Sequence, residues 1–122
     1  MKKLTETVQS GDWKNEKHVP VIHLPEDLSA EKIEIKVVVG DEIAHPNTLE
    51  HHIAWMKLFF MPEDGKFPVE IGSYECSAHG EEEIFSEPVI KACVKLPGNG
   101  VLQALSYCNL HGLWESSVEF KK

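Results

Sequence analysis

An all-β fold is what this sequence predicts, and three observations carry the prediction. Apolar residues recur at every second position in several short segments, Gly/Pro turns separate those segments, and no segment holds a helical i, i+3, i+4, i+7 stripe longer than two turns. Ile33, Ile35, Val37 and Val39 alternate with Glu34, Lys36 and Val38, the pattern of a half-buried strand. Ile53 to Phe60 reads as a second strand, stopped at Pro62-Glu63-Asp64-Gly65 by residues that favour turns. A third runs from Phe67 to about Tyr74. Val89 to Leu96 alternates around Lys91 and Lys95, Pro97-Gly98-Asn99-Gly100 turns the chain, and Val101 to Tyr107 resumes, which reads as a hairpin. Trp114, Ser116, Val118 and Phe120 alternate with Glu115, Ser117, Glu119 and Lys121, a last strand placed to close the sheet. Leu28 to Glu34 offers at most one helical turn before the strand pattern takes over. The stretch from Ser10 to Pro25, broken by Gly11, Pro20 and Pro25 and crowded with charge, reads as a surface loop of the kind that carries binding residues. Six or seven short strands suit an antiparallel sandwich or small barrel of immunoglobulin-like size.

Composition sets further bounds. A chain of 122 residues, 42% apolar, is expected to form one domain over residues 1–122. Its net charge is −8 and every basic residue is a lysine, so it lacks the guanidinium forks that read guanine and clamp phosphate; no nucleic-acid partner is expected. No apolar run of about 18 residues occurs, and Met1-Lys2-Lys3-Leu4-Thr5-Glu6 lacks the apolar stretch of a signal peptide. A soluble, cytoplasmic protein without membrane association is the expectation. Cys76, Cys93 and Cys108 are too widely spaced for a disulfide framework or a C-x-x-C pair and read as reduced thiols.

The seven histidines carry the chemistry. Cys108-Asn109-Leu110-His111-Gly112 puts a thiolate and an imidazole three positions apart where a strand breaks at a glycine, a spacing able to chelate one ion. His45-Pro46-Asn47-Thr48-Leu49-Glu50-His51-His52 adds imidazoles around a turn, and Glu16-Lys17-His18 adds one more. Thiolate and imidazole disfavour calcium and magnesium and admit zinc, copper or iron. A four-ligand zinc leaves histidines over. If His18, His45, His51, His111 and Cys108 all bind, the site is five-coordinate with an open sixth position, which suits iron better than tetrahedral zinc. A thiolate opposite an open position pushes electron density toward the guest, pointing to redox work on a small oxygen species.

With those residues in hand, the chain resembles the superoxide reductases of the neelaredoxin group. The resemblance rests on Glu16-Lys17-His18-Val19-Pro20, on the run from His45 to His52 and on Cys108 to Trp114, in that order, and extends to Ser10-Gly11-Asp12-Trp13. The related desulfoferrodoxins carry an extra N-terminal domain with a cysteine-bound iron. Here no cysteine precedes Cys76, so the chain resembles the short, single-iron form. The resemblance implies a seven-stranded immunoglobulin-like β-barrel around one mononuclear non-haem iron, with His18, His45, His51 and His111 equatorial and Cys108 axial. It implies that Glu16 takes the sixth position in the resting ferric state and leaves it on reduction, while Lys17 attracts superoxide and helps organise proton delivery. The implied reaction is one-electron reduction of superoxide, with two protons, to hydrogen peroxide. An external donor, rubredoxin in this family, restores the iron, and a homotetramer is the implied assembly. Lys17 has an independent argument: on a chain of charge −8, an anionic substrate needs a local cation near the metal. Lys14 is placed to assist.

Other readings compete at several positions. Adjacent strand residues point to opposite faces, so His52 is not expected to share an ion with His51. His23 and His79 stand alone and read as surface or satisfied core groups, His79 in a loop. Cys76 and Cys93 read as small buried hydrophobes, Cys93 as core. Glu81-Glu82-Glu83 reads as a solvated loop. Trp13, Trp55 and Trp114 read as packing residues, Trp114 being placed to shield the metal. Two rival functions are a copper electron carrier, which needs a methionine soon after its last histidine, and a binding module with a structural zinc.

Overall fold

The computed structural model describes residues 1–11 and 17–122. Seven strands follow a single helical turn, α1 (Leu4–Thr7): β1 (Val21–His23), β2 (Ile33–Val38), β3 (Ile53–Pro62), β4 (Val69–Glu75), β5 (Val89–Val94), β6 (Gly100–Cys108) and β7 (Gly112–Phe120), with a 3-10 turn at Glu81–Glu83 between β4 and β5. They form two antiparallel sheets, β1-β2-β5 and β4-β3-β6-β7, in the manner of an immunoglobulin-like sandwich. No helix among the described residues is long and apolar enough to cross a membrane.

Two-residue alternation does the work it predicts. In β2, Ile33, Ile35 and Val37 are buried while Glu34 and Lys36 are exposed, and β7 buries Trp114 and Phe120 while exposing Glu115, Ser117 and Glu119. The inward side chains of β2 and β5 meet Met56, Leu58 and Phe60 of β3 and Leu102 and Ala104 of β6 across one core. At the sheet edges β1 lies beside β7 and β4 beside β5. One of these seams is tied by Ser116, whose hydroxyl donates to the Pro20 carbonyl at 2.6 Å.

Three expectations need correction. The stretch from Ser10 to Pro25 is not all loop, because Val21–His23 pairs with β2, Val21 opposite Val38 and His23 opposite Lys36. Three residues are too few for an alternation to stand out. The turn Pro97-Gly98-Asn99-Gly100 does not close a hairpin: β5 pairs with β2, whereas β6 pairs with β3 and β7, so the chain crosses there from one sheet to the other. Both strands turn an apolar face to the same core, and the alternation is identical for partners in a ladder and for strands facing across a sandwich. Third, Cys93 is exposed while Cys76 and Cys108 are buried. In β5 the buried positions are Ile90 and Ala92, so Cys93 shares the outward face with Lys91 and stands opposite Glu34. Closing strand β7 lies at an edge of its sheet, bonded to β6.

Burial, and then the charges of Glu75 and Glu87, push the Cys76 thiol up to about 11. The thiolate is the nucleophile, so Cys76 stays unreactive at neutral pH. Iodoacetamide at pH 8 is expected to alkylate Cys93 in the native protein and to spare Cys76, as read by peptide mass mapping; comparable labelling of both would contradict this burial pattern.

Candidate metal centre

Strand geometry aims the thiol. Leu102, Ala104, Ser106 and Cys108 occupy the inward positions of β6, and Cys108 is the last of them, fully buried where the strand ends. The chain then turns through Asn109, Leu110 and His111 into β7, with Cys108 opposite Gly112. Gly112 has φ 84°, in the left-handed region that favours glycine at the close of a three-residue hairpin. The Cys-x-x-His spacing is thus the span of a hairpin tip, and it keeps His111 beside Cys108: Nδ1 of the ring lies 3.9 Å from Sγ.

His45 and His51 come from the connection between β2 and β3. Gly40, just past β2, has φ 79°, and a Cβ there would collide with the backbone nitrogen of His45, so the loop closes this tightly only around glycine. His45 donates from Nδ1 to the Pro46 carbonyl at 2.7 Å, a bond that fixes its tautomer and leaves the Nε2 lone pair for a metal. Thr48 holds the turn before His51, its hydroxyl accepting from the His51 N–H at 3.0 Å and its N–H donating to the His51 carbonyl at 2.9 Å. A register shift between Ile53 and Trp55 lets Ile53 and Met56 both face inward.

His18 arrives from the N-terminal arm. Its ring is fully buried and lies flat on Trp114, with centroids 4.4 Å apart and planes 13° from parallel. Its carbonyl accepts from the Ser106 hydroxyl at 3.3 Å.

Donor atoms of His18, His45, His51 and Cys108 lie within 4.8 Å of one another. Nδ1 of His111 lies 3.1 Å from Nε2 of His18, the separation of two nitrogens set at right angles about one ion roughly 2.1 Å from each. The four imidazoles form a closed circuit: His18 to His45, His45 to His51, His51 to His111 and His111 to His18 are 4.6, 4.8, 5.0 and 4.9 Å between centroids, against 6.2 Å across the diagonal from His18 to His51. Consecutive rings are nearly perpendicular, at 73°, 84°, 74° and 89°. Four near-equal sides with a longer His18–His51 diagonal trace a four-cornered ring, which we call the square, whereas in a tetrahedron all separations would be equal. Three or four imidazoles and a thiolate brought this close in a largely buried pocket suit a transition-metal ion.

Lys17 is half-buried beside His18 and lines a cavity of about 240 Å³ with Val19, Val21, Gly40, Asp41 and Glu42. Asp41 is itself paired with the exposed His23 at 2.9 Å. Glu16, together with Trp13 and Lys14, lies outside the described residues. His52 turns away from the square: it donates from Nδ1 to the Thr48 carbonyl at 2.8 Å and stacks on His79, 3.5 Å between centroids.

Sequence reading missed the residues that tie these segments together. Asn109 accepts at Oδ1 from the His52 N–H at 2.8 Å, donates from Nδ2 to the Glu50 carbonyl at 2.9 Å, and donates its own N–H to the His52 carbonyl at 3.2 Å. The loop carrying His45 and His51 is thereby sewn to the hairpin carrying Cys108 and His111. On its other side Asn47 donates to the Ser86 carbonyl at 2.9 Å and meets Nδ1 of His79 at 3.0 Å. His79, which looked solitary in the sequence, is a buried brace for the ligand loop. An asparagine one residue after a candidate ligand was the available signal; its partner, 57 positions away, was not.

Fold and site together define an immunoglobulin-like β-sandwich with a cluster of histidines and one buried cysteine that could hold a metal ion. The chain belongs to the desulfoferrodoxin family, which it matches over residues 10–117. It is 47% identical over 122 residues to the superoxide reductase of Pyrococcus furiosus, covering 94% of this chain and 97% of that one. It is 44% identical over 123 residues to the neelaredoxin of Megalodesulfovibrio gigas, covering 94% and 95%. A crystal structure of a superoxide reductase in the oxidized state aligns with a TM-score of 0.91 at 45% identity, covering 98% of this chain and 100% of the other. The superoxide reductase (neelaredoxin) of Archaeoglobus fulgidus in its reduced form aligns with a TM-score of 0.86 at 44% identity, covering 95% and 99%.

Asn109 touches no candidate ligand ring but bonds the residues on either side of His51, and so fixes where the loop presents it. Asn109→Ala is therefore expected to weaken metal binding, by about tenfold on the scale of outer hydrogen-bond partners, in competition titrations while the far-UV circular dichroism stays that of a β-protein; unchanged affinity would show that the two segments hold their positions without it.

Proposed function

We propose that this chain is a superoxide reductase in which His18, His45, His51, His111 and Cys108 would hold one iron ion. The observation that carries the reading is the square of imidazoles beside a buried thiol, in a chain of this family. Iron bound there supplies one-electron chemistry: superoxide takes up one electron and two protons and leaves as hydrogen peroxide, without formation of dioxygen. All else falls to side chains. Lys17 supplies the nearby cation that offsets a chain charge of −8 and draws the anion in. By the family likeness Glu16 would be a further carboxylate ligand to the iron, and Lys17 would also help organise the protons delivered to the product.

The rival metals fit less well. A structural zinc asks for four donors in a tetrahedron. A copper carrier of the two-histidine type needs a late methionine, and Met61 is the last one in the chain. The proposal includes a rubredoxin-like protein as the external one-electron donor, a homotetrameric assembly and a cytoplasmic location, all of them features of the family likeness.

Purified protein is expected to hold one iron per chain and to show a thiolate-to-iron(III) charge-transfer band that vanishes on reduction and in Cys108→Ala. Colourless protein with stoichiometric zinc would overturn the proposal. Lys17→Ala is expected to slow the second-order reaction with superoxide by about tenfold and to flatten its dependence on ionic strength, since a local cation acts through a screened field. A variant with the wild-type rate and salt response would remove Lys17 from the mechanism.

A further inference from the structure

Among its contacts with the β6–β7 hairpin, the N-terminal arm meets Trp114 both at His18 and at Gln9. At His18 the fastening is the ring stack on the indole. At Gln9 it is backbone: the Gln9 N–H donates to the Leu113 carbonyl at 3.0 Å, and the Glu115 N–H donates to the Gln9 carbonyl at 2.8 Å, a one-residue parallel bridge that straddles Trp114. The Gln9 side chain does something separate. Its Nε2 donates to the carbonyl of His111 at 2.8 Å, across 102 positions of sequence.

His111 sits at the tip of the hairpin, after the exposed Leu110 and before Gly112 with its φ of 84°. A carbonyl at such a tip lies outside the β-ladder, so whatever grips it sets the direction of the His111 ring. We infer that Gln9 is a positioning residue for His111: its carboxamide holds the tip so that Nδ1 of His111 stays at the corner of the imidazole square. Asn109 holds the same tip through His52 and Glu50. The tip is therefore gripped by both the ligand loop and the N-terminal arm. The inference rests on His111 being a metal ligand, as proposed above.

Two variants separate the carboxamide from its bulk. Gln9→Met keeps the length of the side chain without a donor, Gln9→Ala removes both, and each leaves the backbone bridge able to form. In iron-loaded protein, both are expected to lose iron to a chelator about tenfold faster than wild type and to shift the charge-transfer band and the midpoint potential. The thermal midpoint of the metal-free protein should move little. Wild-type iron release and spectrum in both variants would overturn the inference, as would a normal Met variant beside a defective Ala variant, which would make bulk the cause. A lowered metal-free midpoint with an unchanged spectrum would overturn it too, by showing a structural role alone. Wild-type protein run in parallel separates this inference from the function proposed above: absence of iron or of the band there rejects the iron reading itself, whereas a normal wild type with insensitive variants rejects only the role of Gln9.

Discussion

His18, His45, His51 and Cys108 come from three separate stretches of chain to bring their donor atoms within 4.8 Å of one another, with His111 beside them, and the rigid body against which all are set is the β6–β7 hairpin. Its strands are paired without a register shift from Gly100 opposite Phe120 to Cys108 opposite Gly112. Every other part of the site is fastened to it. The N-terminal arm stacks His18 on Trp114 and hangs its carbonyl on Ser106, and the loop of His45 and His51 is bonded through Asn109. A third layer, the loop after β4, braces that ligand loop in turn through His79 and the carbonyl of Ser86. Precision at the square of imidazoles is inherited from a β-ladder, because loops alone are the least rigid parts of a fold.

Burial raises the stakes of that arrangement. His18 and Cys108 are wholly removed from water and His45 nearly so. Polar groups carried into the interior cost about 1–3 kcal/mol each unless a partner receives them. One such partner is the Pro46 carbonyl, which receives Nδ1 of His45 at 2.7 Å. A site built this way links metal loading to the stability of the fold, since the ligands converge only in the folded chain.

Much of this was legible in the sequence, because strand periodicity is local. The inward faces of β2, β6 and β7 and the end of β3 at Pro62 follow from residues a few positions apart. The ligand types were legible for the same reason: Cys108 and His111 share one hairpin tip, and His45 and His51 share one turn. What periodicity does not carry is pairing. The segments on either side of Pro97-Gly98-Asn99-Gly100 alternate as hairpin partners do, yet they enter different sheets. Cys93 was misread although its own parity with Lys91 and Lys95 placed it outside, a case in which residue type was allowed to outweigh position. The bonds of Gln9, Asn109 and His79 are long-range, and no local pattern announces them.

The crossing at Pro97 to Gly100 bears on the order of assembly. With β5 sent to pair with β2 and β6 sent to pair with β3, the two sheets are built from contacts between residues far apart in sequence, such as Ile33 opposite Val94 and Ile53 opposite Cys108. Chains of this kind close large loops before they are rewarded, and they fold in milliseconds to seconds rather than microseconds. The first and last corners of the imidazole square, His18 and His111, are 93 positions apart. The corners of the imidazole ring are therefore brought together by the same long-range pairings that build the two sheets, and not by any local segment of the chain.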